Sequence, residues 1–323
     1  MSDNSYVYAV ARIRSLEMGL LNESAIDQLM ACKTYQNCMA YLQERGWESQ
    51  INPLDSESML KREQEKIWET IRELKVDMSV FDILSYQQLY HNLKAAIKEI
   101  CVGGVDANIF FEGLDISKET LLQALQEKDY SRLPEHMRET AKDALETMLQ
   151  TRDGQLCDVI VDKAALEAIY QKGKQAKVDV LKRYAEDVVL VADIKIAIRA
   201  ARTGKNKLFL QRALASCDSI DLEKLTTAAL MGTEAVCSYL SESGFSEAVE
   251  ALQESNSSFE RWCDNKIIHG IQPQKYNSFT AGPLIAYVLA RENEIKTVRI
   301  ILTGKQNNLP DSFIRERIRD MYV

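Results

Sequence analysis

Two short stretches, Thr203-Gly204-Lys205 and Thr303-Gly304-Lys305, put a lysine directly after a glycine and so raise the question of phosphate binding. A phosphate loop wraps backbone N–H groups around the ligand, and it needs GxxxxGK[ST] between a strand and a helix. Here Asn206 and Gln306 follow the lysines, and a helical pattern precedes each. Both read instead as a glycine that ends a helix, with the lysine near the negative end of its dipole. No GxGxxG occurs either. Nucleophilic catalysis lacks its parts, because there is no GxSxG elbow and His91, His136 and His269 are isolated from one another. The seven cysteines, Cys32, Cys38, Cys101, Cys157, Cys217, Cys237 and Cys263, form no CxxC pair, and no histidine lies within four residues of one. That spacing does not support a zinc site, and an odd number of free thiols fits a reducing compartment. Met59, Met78, Met137 and Met148 recur at helical core spacing and read as packing. The expectation is a chain with no catalytic residue, no metal and no cofactor.

The elements that would position any such group are helices. Among 323 residues there are 13 glycines and 5 prolines, far fewer than a sandwich, barrel or propeller needs for its turns. Tyr6, Ala9, Val10, Ile13, Leu16 and Leu20 step by three and four, which lays one apolar stripe along a helix. Asp55 or Ser56 opens a helix carrying Met59, Leu60, Ile67, Ile71 and Leu74. Three long helices follow at wide intervals. One runs from about Ser79 to Gly103-Gly104, one carries Tyr184 to Ala201 before Gly204, and one runs from Gly282-Pro283 to Leu302 before Gly304. The fold class predicted is all-α. The N-terminal segment lacks a basic stretch followed by an apolar one, so it does not read as a signal peptide. The longest uncharged run, Tyr276 to Ala290, is 15 residues, short of the ~20 that span a bilayer. A cytoplasmic chain without bilayer insertion is expected.

The long helices close on related segments: Asn92 to Lys98, Asp193 to Arg199 and Thr297 to Thr303. Each has a small polar residue, an aliphatic, a base, two variable positions and an aliphatic. A second landmark precedes them, since Asn22, Ser117 and Asp221 read as helix N-caps followed by apolar residues four and seven positions on. Both landmarks repeat at about 100 residues, which predicts three similar units at 1–105, 106–207 and 208–323. The repeated bases Lys94, Lys195 and Arg299 are therefore candidates for contact with a partner. They would serve so if they face outward; otherwise each pairs with a carboxylate of its own unit. Overall the chain carries −8, with no basic run to suit nucleic acid. Its last 33 residues nevertheless carry +2, with Arg315, Arg317 and Arg319 close together. These three are further partner-contact candidates, on a tail that reads either as a short amphipathic helix docked through Ile314, Ile318 and Met321 or as a protein-binding edge.

Several stretches resemble the C/d-type subunit of the V-type rotary ATPases of archaea and bacteria. They are Tyr8 to Glu17, Tyr90 to Ile97, Ile198 to Gly204, Pro283 to Tyr287, Glu294 to Lys305, Ile314 to Arg319 and the final Tyr322-Val323. The likeness covers the whole chain, with one departure: the family usually has asparagine where Asp193 and Thr297 stand here. The resemblance implies three helical units arranged with pseudo-threefold symmetry as a funnel. It also implies a non-catalytic rotor part on the cytoplasmic face of a proton- or sodium-carrying membrane ring, peripheral to the cell membrane. Its expected partners are the proteolipid subunits of that ring and the central-stalk subunits, whose foot the funnel would receive. ATP would be handled by other subunits. An unrelated helical-repeat scaffold would explain the composition and the repeats, but not the match at the C-terminal end.

Overall fold

Scarce turn residues and unbroken helical periodicity produce 78% helix, with no strand among the described residues. The computed structural model describes residues 6–48, 55–104 and 109–323, arranged in two compact units. The first unit opens with α1 (Val7–Glu17), α2 (Glu23–Ala31), α3 (Tyr35–Glu44) and α4 (Ser56–Glu73). The second holds α5 (Asp82–Val102), α6 (Lys118–Glu127), α7 (Glu135–Thr151) and α8 (Gly154–Gln175). Next comes α9 (Asp179–Thr203), whose residues up to Tyr184 belong to the first unit and the remainder to the second. The second unit also contains α10 (Lys207–Ala213), α11 (Leu222–Met231) and α12 (Thr233–Glu242). The first unit is completed by α13 (Ser246–Glu254), α14 (Asn256–Ile271), α15 (Gly282–Gln306) and α16 (Asp311–Arg315).

Local chemistry sets most helix ends. Asn22, Ser117 and Asp221 are N-caps, each accepting from a backbone N–H of the first turn, as does Asp55 ahead of α4. Gly103 and Gly204 end α5 and α9 with positive φ, +75° and +64°, a conformation that only glycine adopts without strain. The boundary expected at residue 105 lies outside the described residues. Gly304 is different. There α15 runs through the glycine to Gln306, and a Cβ at this position would meet Cδ1 and Cγ1 of Ile314 at 2.5 Å. It is glycine because the tail crosses the helix there, which corrects the reading of Gly304 as a helix end.

In the first unit α15 is the central element, packed against α1, α3, α4, α14 and α16. Its residues 282–291 are all buried, which explains the long uncharged run: it is a core helix. Among the described residues no helix is long and apolar enough to cross a membrane. In the second unit α5 packs on α6, α7 and α8 around Leu93, Ala96, Ile97, Leu121, Leu145 and Val161. Truncating any of the larger of these to alanine should cost about 2–5 kcal/mol.

Candidate functional site

In the second unit Lys94 of α5 pairs with Asp162 of α8 at 2.6 Å. One turn on, Lys98 pairs with Asp158 at 2.7 Å, and near the other end of the helices Lys172 pairs with Asp82 at 3.2 Å. The two helices run antiparallel, so these pairs form a ladder along one seam. Lys94 is a rung of that ladder, only 20% exposed. Two residues before it, the carboxamide of Asn92 clamps the backbone of Phe111 at two points: its NH2 donates to the carbonyl and its oxygen accepts the N–H, both at 2.8 Å. At the matching position of α9, Asp193 Oδ1 accepts from Ala215 N–H at 3.1 Å. Lys195 lies half-buried two residues further along.

The third repeated position, in the first unit, behaves differently. Thr297 is buried and its hydroxyl has no hydrogen-bond partner among the described residues. The clamp is instead one turn earlier, where Asn293 donates to the Asp320 carbonyl at 2.9 Å while Asn265 of α14 accepts the Asp320 N–H at 2.9 Å. Arg299 reaches the first turn of α4 and donates to Glu57 Oε1 at 2.6 Å, both side chains being well exposed.

The tail is docked; its helix stops at Arg315, and five residues further on the two asparagines hold the backbone of Asp320. Ile314 and Met321 are buried and Ile318 is half-buried, as an amphipathic pattern requires, but without a continuous helix. Its arginines have three different environments. Arg315 pairs with Asp27 at 2.8 Å in the open, and Arg317 lies 3.7 Å over the Phe313 ring and donates to the Phe313 carbonyl. Arg319 is buried and donates to Asp264 at 2.7 Å. Burial acts to raise the Asp264 carboxyl, but Lys296 and Arg319 beside it prevail and hold it below the usual range.

One charged group escaped the sequence reading. Arg291 is buried between Glu294 and Glu63, donating to each at 2.5 Å, with its guanidinium 5.3 Å from the Trp47 ring. Lys66 shares Glu63 at 2.7 Å, and Glu294 also accepts Leu21 N–H at 2.9 Å. The sign in the sequence was the cluster Arg291, Glu292 and Glu294 at the end of the uncharged run, a charge on a helix otherwise read as core.

These arrangements tie the chain to itself, and among the described residues they bring no nucleophile, base and oxyanion donor together. The histidines stay apart, each engaged locally: His91 with the Ile109 carbonyl, His136 stacked on Tyr86 at 4.4 Å, and His269 with Asp320. Among the described residues no group of three metal-ligating side chains converges. All seven cysteines are free thiols, and burial pushes Cys157 up to about 11 and Cys38 and Cys217 up to about 12, far from a reactive thiolate. Lys205 and Lys305 approach carboxamide or carbonyl groups of the chain itself, Gln155 at 3.0 Å and Met30 at 2.7 Å, the latter at the C-terminal end of α2.

Residues 9–317 match the family model described as ATP synthase (C/AC39) subunit. The chain is 21% identical over 317 residues to the V-type sodium ATPase C subunit of Enterococcus hirae, covering 96% of this chain and 97% of the relative. It is 22% identical over 342 residues to the A-type ATP synthase C subunit of Methanocaldococcus jannaschii, covering 96% of this chain and 85% of that one. With the match running from the first turn of α1 to the docked tail, the chain belongs to the ATP synthase (C/AC39) subunit family.

Proposed function

We propose that the chain is the non-catalytic central-rotor subunit of a V- or A-type rotary ATPase, joining the central stalk to the proteolipid ring on the cytoplasmic face of the cell membrane. The observation that carries this reading is the end-to-end match to the C subunit of a V-type sodium ATPase, which leaves almost no part of either chain unmatched. An unrelated scaffold has no reason to share that length and order. The division into three units of about 100 residues belongs to the same proposal, and it is supported by the caps at Asn22, Ser117 and Asp221 and by the clamps at Asn92, Asp193 and Asn293.

Contact with ring and stalk is assigned to the six basic residues Lys94, Lys195, Arg299, Arg315, Arg317 and Arg319. Arg299 and Arg315 are the best placed, because each is exposed and its present partner is an exposed carboxylate held at little energetic gain. Lys94 and Arg319 already neutralise carboxylates of the chain itself, Asp162 and Asp264, so their contact role is secondary. A ring presents many identical loops, so numerous weak polar contacts suffice. The test is recovery of tagged chain from detergent-solubilised membranes, which should bring down ring and stalk subunits together. Recovery without either, from cells that express the whole complex, would overturn the proposal.

A further inference from the structure

The connection from α10 to α11, residues 214–221, is tied down by side chains of its own unit. Glu186 of α9 accepts Ser219 N–H at 2.6 Å and Asp218 N–H at 3.3 Å. Lys163 of α8 donates to the Gln211 carbonyl at 3.0 Å, just upstream, and Lys174 pairs with Asp218. Asp193 lies seven residues beyond Glu186, two turns along the same face of α9, and holds the innermost point. It has no exposed surface. Its Oδ1 accepts Ala215 N–H at 3.1 Å, and its Oδ2 is buried with no hydrogen-bond partner among the described residues.

An ionised carboxylate would leave half its charge on that second oxygen with neither water nor a donor to meet it, which is expensive in an apolar interior. No neighbouring charge supplies the remedy. Lys163, the base whose field reaches Asp193, is occupied by the Gln211 carbonyl and lies 3.8 Å from Glu167. Glu186 and the Cys217 thiol add only further acids to these surroundings. A proton on Oδ2 removes the buried charge, and the group then offers one acceptor and one donor. That is the pattern with which Asn92 grips Phe111, N–H to oxygen and NH2 to carbonyl.

We propose that Asp193 is held as the neutral acid, its Oδ2–H donating to a carbonyl of the α10–α11 connection, and that loss of this proton releases the connection. The inference is independent of the role proposed for the subunit. Burial pushes the Asp193 carboxyl from 3.8 up to about 8, with the Ala215 N–H and Lys163 pulling weakly the other way. In the released state the carboxyl is wet and ionises near its ordinary value. The clamp is therefore at full strength below about pH 4, weakens as pH rises towards 8, and reaches a constant low level above it.

The full chain, labelled with ¹³C at aspartate carboxyls, provides a direct reading. One buried carboxyl should titrate near pH 8, and its signal should vanish in Asp193→Asn. Hydrogen exchange supplies the second. The protection factor of the Ala215 amide in the wild-type chain should fall by about tenfold per pH unit between pH 5 and 8 relative to Asp193→Asn, which keeps the clamp without the titration. An Asp193 carboxyl titrating near 4 overturns the proposal, as does Ala215 protection that changes with pH equally in both proteins. The carboxyl titration needs no variant, so a misfolded Asp193→Asn chain would not shelter the idea.

Discussion

Arg291 shows what a buried charge demands at the scale of one residue. Its side chain is 9% exposed and those of Glu63 and Glu294 are 5% and 1%, so each ion depends on the others for the hydration it has lost. Arg291→Leu should cost about 3–5 kcal/mol, read as a lower urea midpoint, because it strands Glu294 and leaves Glu63 to Lys66 alone rather than because the pairs are strong. Exchanging all three for apolar residues of similar size should restore much of that loss. A second titrating group acts with the opposite sign from Asp193. Burial, aided by Lys172, lowers the His136 imidazole below its usual 6.5 where it stacks on Tyr86. The neutral ring's contribution is therefore present above pH 6.5 and lost as pH falls through the lowered value. His136→Phe, measured by thermal unfolding, should flatten that acid-side decline, and an unaltered slope between pH 6.5 and 5 would refute the assignment.

At the scale of elements, much was legible because helix ends are written locally. Asn22, Asp55, Ser117 and Asp221 cap through their own side chains within three residues, and Gly204 ends α9 by its backbone freedom alone. Gly304 misled because its reason, Ile314, is a tertiary contact that no local pattern announces. The tail misled as well, since its helix stops at Arg315 despite the helical spacing of Ile314, Ile318 and Met321, and two asparagines from different helices hold Asp320 beyond it. The candidate site was read more dimly still. A partner for Lys94 lies 68 positions away and one for Arg299 lies 242 away, distances over which sequence gives no pairing signal. Thr297 stands at the repeated position in the sequence, but the clamp lies one turn earlier, at Asn293. Gly304→Ala separates propensity from packing. Alanine is the better helix former by about 1 kcal/mol, yet the crowding against Ile314 should make the variant less stable by about 1–3 kcal/mol in chemical denaturation.

At the scale of the whole molecule, the contact surface proposed above is built from exposed charges whose present pairs are weak. Arg299→Glu with Arg315→Glu should leave the melting temperature within a few degrees, since exposed pairs contribute about 0–1 kcal/mol. The same double change should lower recovery of ring and stalk subunits at low salt, and the deficit should shrink as salt rises and screens the reversed charges. Unchanged recovery would remove these two arginines from the interface. The ladder between α5 and α8 has a consequence of its own under load. Sliding α8 past α5 by one turn leaves one lysine–aspartate rung facing a new partner, Lys98 opposite Asp162 or Lys94 opposite Asp158, and parts the other two. A slipped seam therefore finds no resting place as good as its start, and the charges draw it back. The seam should therefore add a small restoring pull that softens with ionic strength, while the apolar core beneath it does not.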